Sequence, residues 1–225
     1  MSSVGVAVRL LCLDASTAAV TVALVEGDEA AGAERAAVDE VAPTRHGEML
    51  APAVRRVLAA SPGPVDAVAV GVGPGPYTSL RVGVATAAAL ADGWGVPAYA
   101  ACSLDLLAAP DTVVVQDARR REVYWAAYDR TGRCVQGPGV LAPADLVSLL
   151  PAGARVVGAG AALHADALGV AVPVVQLPRA AALWGLVAER LLAGAPGEPL
   201  TPLYLRRPDA LPAGRLAGRK SVLPP

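Results

Sequence analysis

Short apolar runs separated by turn-forming residues fill the first hundred positions, and their spacing changes from strand-like to helical along the way. Val8 to Leu13 suits a central strand, and Asp14-Ala15-Ser16-Thr17 turns the chain. Val20 to Val25 returns as a second strand, Gly27-Asp28 makes the next turn, and Ala33 to Glu40 can form a third. From His46 to Ala60 the period becomes helical: Met49, Leu50, Ala53, Val54, Val57 and Leu58 share one side, with Arg55 and Arg56 opposite. Pro52 predicts a kink or marks the true first turn of that helix. A buried strand (Val65 to Val72), a Gly/Pro loop, a helix from Thr78 to Ala91 and a strand around Val96 to Ala100 follow.

The pattern then begins again. Thr112 to Gln116 is a strand ending in Asp117, Val123 to Tyr128 returns, and Arg133 to Val135 opens a third. A helix (Ala144 to Leu150), a strand (Arg155 to Val157), a short helix (Ala161 to Leu168), a strand (Val172 to Val175) and a last helix (Ala180 to Ala193) are predicted after it. Asp14 and Asp117 each close the first strand of their half, so the chain carries a weak pseudo-repeat. Three strands followed by α, β, α, β fit a mixed sheet with an antiparallel edge. The expected fold is α/β, a duplicated actin-like (ASKHA, sugar-kinase-like) architecture. Its subdomains are expected at 1–102 and 103–205, with a Pro-, Gly- and Arg-rich tail over 206–225.

The stretch Gly73-Pro74-Gly75-Pro76-Tyr77-Thr78-Ser79-Leu80-Arg81-Val82-Gly83 stands between a strand and a helix, where α/β proteins often hold phosphate. It fits no phosphate pattern. Pro76 replaces the last Gly of Gly-x-Gly-x-x-Gly, no Lys follows as in a Walker loop, and Pro74 and Pro76 remove two N–H donors. Thr78 or Ser79 is placed to cap the helix, and Gly75 to supply a backbone angle other residues resist.

Composition narrows the function classes. The 225 residues are 54% hydrophobic, enough for a sizeable core, with a net charge of −1 that leaves no footprint for tight independent nucleic-acid binding. Lys220 is the one lysine among 19 basic residues, and Phe, Ile and Asn are absent, which reads as coding bias rather than phosphate recognition. Cys12, Cys102 and Cys134 are far apart and odd in number, which suits a reducing cytoplasm. With no apolar stretch of spanning length and no signal-like start, the expectation is a soluble cytoplasmic protein without membrane contact.

Five motifs, in order, resemble those of the TsaB (YeaZ) family. They are Leu13-Asp14-Ala15-Ser16-Thr17; Arg45-His46-Gly47-Glu48-Met49-Leu50-Ala51-Pro52, with Gly47 in place of Ser; the Gly73 to Gly83 stretch, with Pro76, Tyr77 and Ser79 substituted; Asp117-Ala118-Arg119 with Glu122-Val123-Tyr124; and Pro202-Leu203-Tyr204-Leu205-Arg206. The resemblance covers residues 11 to about 207. It implies two actin-like subdomains and a non-catalytic subunit that binds and activates the TsaD transferase in N6-threonylcarbamoyladenosine modification of tRNA next to the anticodon. It implies the TsaE ATPase as a further partner, tRNA contact through the complex, and packing of the two N-terminal helices against TsaD. A homodimer is a second assembly to consider. No cofactor is expected; weak ATP or ADP binding is left open only within the complex.

The residues can be read against that expectation one by one. His46 and His164 lie in different halves and neither has a His one turn away, so no metal site is expected. Ser16, Ser79, Ser103 and Cys134 have no evident His–acid pair. Asp14, with Ser16 and Thr17, could orient Mg²⁺–nucleotide; alternatively Asp14 and Ser16 cap a tight turn. Gly83, Ala87 and Ala91 form a small-residue ridge beside Leu80 and Val84, and with His46, Met49, Leu50, Ala53, Val54 and Val57 they are the expected partner interface. The alternative is packing on the protein's own sheet. Arg119, Arg120 and Arg121, with Arg206 and Arg207, could contact a tRNA backbone within a complex, or form a solvated turn and tail. The competing function is an ATP-binding actin-like enzyme, a kinase or peptidase-like hydrolase active by itself.

Overall fold

The computed structural model describes residues 7–28, 31–41 and 45–206. Strands β1 (Val8–Asp14), β2 (Ala19–Gly27), β3 (Ala33–Val41), β4 (Ala67–Gly71) and β5 (Ala98–Ala101) form one sheet in the order β3-β2-β1-β4-β5. Strands β6 (Thr112–Asp117), β7 (Val123–Tyr128), β8 (Cys134–Leu141) and β9 (Arg155–Val157) form a second, β8-β7-β6-β9. In each sheet the first strand pairs antiparallel with the second and parallel with the fourth, as in Leu13 opposite Val22 and Val70, and Val113 opposite Ala127 and Val156. The sequence pseudo-repeat is thus a repeat of topology, and the architecture is the expected duplicated actin-like one.

β1 reads as one apolar run because both of its faces are covered. Leu11 and Leu13 face the core beneath helices α1 (His46–Ala60) and α2 (Tyr77–Trp94), with Val22, Leu24, Val68 and Val70. Leu10 and Cys12, pointing the other way at the period of two, meet Leu183, Trp184 and Val187. These last belong to α6 (Leu183–Leu192). The last helix, read in sequence with the second half, therefore packs on the first sheet. In the second sheet, Val113, Val115 and Trp125 pack against Leu146 of α3 (Pro143–Leu146), Ala161 of α4 (Ala159–Leu163) and Leu168 of α5 (Ala165–Leu168).

Several local expectations are corrected. α1 starts at His46 and runs through Pro52 to Ala60, so Pro52 does not mark its first turn. The strand expected at Val172 to Val175 does not form: Pro173 removes a donor from the middle of the run, and Val174 is left 82% exposed. α2 begins at Tyr77 with Pro76 before it and no side-chain cap; the Ser79 hydroxyl donates instead to Pro76 O at 3.2 Å. The tail beyond Arg206 lies outside the described residues.

Candidate functional site

The turn that closes β1 is a knot of hydrogen bonds around one carboxylate. Asp14 is 0% exposed. Its Oδ1 accepts from the Ser16 N–H at 2.9 Å and the Ser16 hydroxyl at 2.7 Å, and its Oδ2 accepts from the Ser103 hydroxyl at 2.5 Å. Ser103 Oγ in turn accepts from Gly73 N–H at 3.0 Å, and Ser103 N–H donates to Gly73 O at 2.7 Å. Burial pushes the Asp14 carboxyl above its ordinary value, against the lowering effect of the Ser103 and Ser16 hydrogen bonds and of His46.

Backbone must come very close for this knot to form. A Cβ at Gly71 would collide with Asp14 Oδ2 and Ser103 Oγ, and one at Gly75 with Ser16 O. Gly75 is therefore needed for close approach; the left-handed angle in this loop belongs to Gly73, at φ +100°. His46 belongs to the same unit. Its Nε2 lies 2.8 Å from Thr17 O, an acceptor only, so Nε2 carries the proton and ties the first turn of α1 to the β1–β2 turn.

A cleft of about 430 Å³ opens between the two halves. Ser16, Thr17 and Pro76 contribute one wall, Gln116, Asp117 and Arg119 the other. Asp117, the counterpart of Asp14, is half-buried; it accepts from Arg119 N–H at 2.8 Å and pairs with its guanidinium at 3.3 Å. Asp14 does not reach the cleft, which corrects its reading as a Mg²⁺–nucleotide ligand: both its oxygens are engaged where solvent cannot enter. Ser16 and Thr17 line the cleft but are themselves buried. Among the described residues no group of three or more His, Cys, Asp or Glu could hold a metal. Burial pushes the Cys12 thiol well up and that of Cys102 to about 12, so neither is a thiolate near neutrality.

Sequence reasoning placed the helix residues on the wrong side. His46, Leu50, Ala53, Val54 and Val57 of α1, and Leu80, Gly83, Val84, Ala87 and Ala91 of α2, are buried against their own sheet. Ala87 is 0% exposed, and Gly83 lies close to Ala15 in the β1–β2 turn. Met49 is half-buried. The outward residues of α1 include Gly47, Glu48, Ala51, Arg55 and Arg56, and those of α2 include Tyr77, Thr78, Arg81, Ala85, Ala88 and Ala89. The ridge at four-residue spacing faces inward because a helix on a sheet needs small residues there to sit close.

Arg119, Arg120 and Arg121 are all exposed and all left-handed, at φ 60°, 54° and 60°. The turn is closed by Ala118 N–H to Glu122 O and Glu122 N–H to Arg119 O, both at 3.0 Å. Side chains disfavour this region, so the turn is held by its surroundings. Ser103, Gly71 and Gln116 were missed as parts of the site. Ser103 and Gly71 act only through partners far off in sequence, and nothing local marks them.

The family model for TsaD, tRNA N6-adenosine threonylcarbamoyltransferase, matches residues 35–193. An uncharacterized protein of Mycobacterium tuberculosis is 45% identical over 210 residues, covering 90% of this chain and 94% of that protein. YeaZ from Pseudomonas aeruginosa superimposes with a TM-score of 0.72 at 29% identity, over 87% of this chain and 100% of that one. A second P. aeruginosa structure, of an uncharacterized protein with similarity to peptidase YEAZ, gives a TM-score of 0.75 at 29% identity over 88% and 100%.

Proposed function

This chain belongs to the TsaB (YeaZ) family of tRNA modification, and on that footing we propose that it is a non-catalytic partner subunit that binds and activates a TsaD-type threonylcarbamoyl transferase. The observation that carries this reading is the state of Asp14. An actin-like enzyme presents this carboxylate to a metal–nucleotide; here both oxygens are engaged by Ser16 and Ser103 inside the fold. The residue that would serve chemistry serves architecture. The same knot fixes the start of α2 and, through His46, of α1.

The partner face is the outward side of these helices. Tyr77, Arg81, Ala85 and Ala88 follow one another along α2, bulky and basic at its start and small beyond. Alanines there let a partner helix approach closely. The TsaE ATPase and tRNA join through the complex, and the exposed turn Arg119 to Arg121 is the part of this chain suited to a phosphate backbone. Neutralising these three arginines should weaken tRNA association of the assembled complex; unchanged association removes the RNA role.

Reconstitution tests the main reading. TsaD, TsaE, threonylcarbamoyl-adenylate and tRNA are combined with and without this chain. Modification should be lost when it is omitted. Full modification without it, or ATP turnover by the purified chain alone, would overturn the proposal.

A further inference from the structure

Two leucines separated by one residue, each partly buried, pack against the cores of different halves. Leu203 packs against the core under α1 and α2, and its N–H donates to Val72 O at 2.7 Å. Leu205 packs with Leu104, Val114, Tyr124 and Ala126 against the second sheet, on the face that α3, α4 and α5 leave uncovered. Tyr204 lies between them and stacks on Tyr77, with ring centroids 4.9 Å apart. The Arg81 guanidinium lies 5.3 Å from the centre of the Tyr77 ring. Arg206 then donates to Ala118 O at 3.1 Å and pairs with Glu122.

These last contacts fall at both ends of the left-handed arginine turn, whose backbone Ala118 and Glu122 close. A turn of three side-chain-bearing residues at positive φ tends to relax unless its ends are held. Arg206 holds them. The turn carries Arg119 into the cleft wall, opposite Pro76, the neighbour of Tyr77. The segment therefore touches the residue next to a lining residue on each side of the cleft, Tyr77 beside Pro76 and Ala118 between Asp117 and Arg119.

We infer that Leu203 to Arg206 is a latch that sets the relative position of the two halves and with it the width of the cleft. Among the described residues the chain passes between the sheets at 102–111, again at 169–179, and a third time at 203–205. Of these three, the last comes after the other two have already joined the halves covalently, so its contacts can be released without cutting either of those links. The inference is independent of the partner reading.

Spin labels attached after Arg55→Cys on α1 and Ser148→Cys beside α3, with Cys102 and Cys134 replaced by Ser, report the distance between the halves. Two latch variants are compared with the parent: Tyr204→Ala combined with Arg206→Ala, and Glu122→Gln, which weakens the clasp from the other half. Amide exchange is followed in the same proteins. The distance distribution should broaden or shift in both variants, and exchange in the Ala118 to Glu122 turn should rise by roughly tenfold, while β1 and β6 keep their protection. Unchanged distance distributions in both overturn the latch. So does loss of protection in β1 and β6 of Glu122→Gln, because the contact would then belong to one inseparable fold.

Discussion

The hydroxyl of Ser103 lies 2.5 Å from Asp14 Oδ2, joining two residues 89 positions apart where neither meets solvent. Ser103 also accepts from Gly73 N–H, so one hydroxyl serves the carboxylate and the loop before α2. Ser103→Ala leaves a buried carboxylate oxygen and a backbone donor without partners. It should lower unfolding stability by about 3 kcal/mol, measured by denaturant titration.

Because burial raises the Asp14 pKa in the folded state, the folded protein holds this proton at pH values where the unfolded chain has released it. The contribution of this group to stability is then fully present below the ordinary aspartate value and is lost as pH rises through the folded value. Asp14→Asn removes that dependence. The stability of the parent minus that of the variant should fall as pH is raised from the ordinary Asp range toward neutrality; a difference that grows over that interval would contradict the assignment.

Gly75 carries no left-handed angle, so its substitution tests close approach alone. A methyl group there meets the Ser16 carbonyl, which is backbone and not the end of a flexible side chain. Gly75→Ala should cost about 2 kcal/mol of stability and should perturb Ser16 and the cleft wall, visible as amide shifts at Ser16 and Thr17.

The two sides of α2 should respond oppositely to the same substitution. Ala88→Arg, outward, should leave the melting temperature near that of the parent and weaken association with a TsaD-type partner by at least roughly tenfold. Ala87→Arg, at 0% exposure, should destabilise the monomer by about 3 kcal/mol or more through overpacking and a buried charge. Calorimetry of the free chain and titration with the partner separate the effects.

Much of the fold was legible because its signals are local. The run Val8 to Leu13 reads as a central strand since helices cover both its faces, and the repeated closing aspartates mark a repeat of topology. The valines at 172–175 misled because composition suggests a strand while pairing requires a neighbour and donors, and Pro173 supplies no donor. The helix ridge Gly83, Ala87, Ala91 was seen, but its side was not: a period of four specifies a face without specifying what lies against it.

The sequence by itself determined the order of elements, the pseudo-repeat and the motifs of a family, since hydrophobic period, turn residues and motif spacing are properties of neighbours along the chain. The tertiary structure decided what those residues do. Asp14 is buried in a hydrogen-bonded turn because Ser103 arrives from the chain that follows β5, and Leu203 and Leu205 pack against two cores because the chain returns between the halves after α6. Those are encounters between distant segments, and their energies depend on burial and on partners that no local pattern encodes.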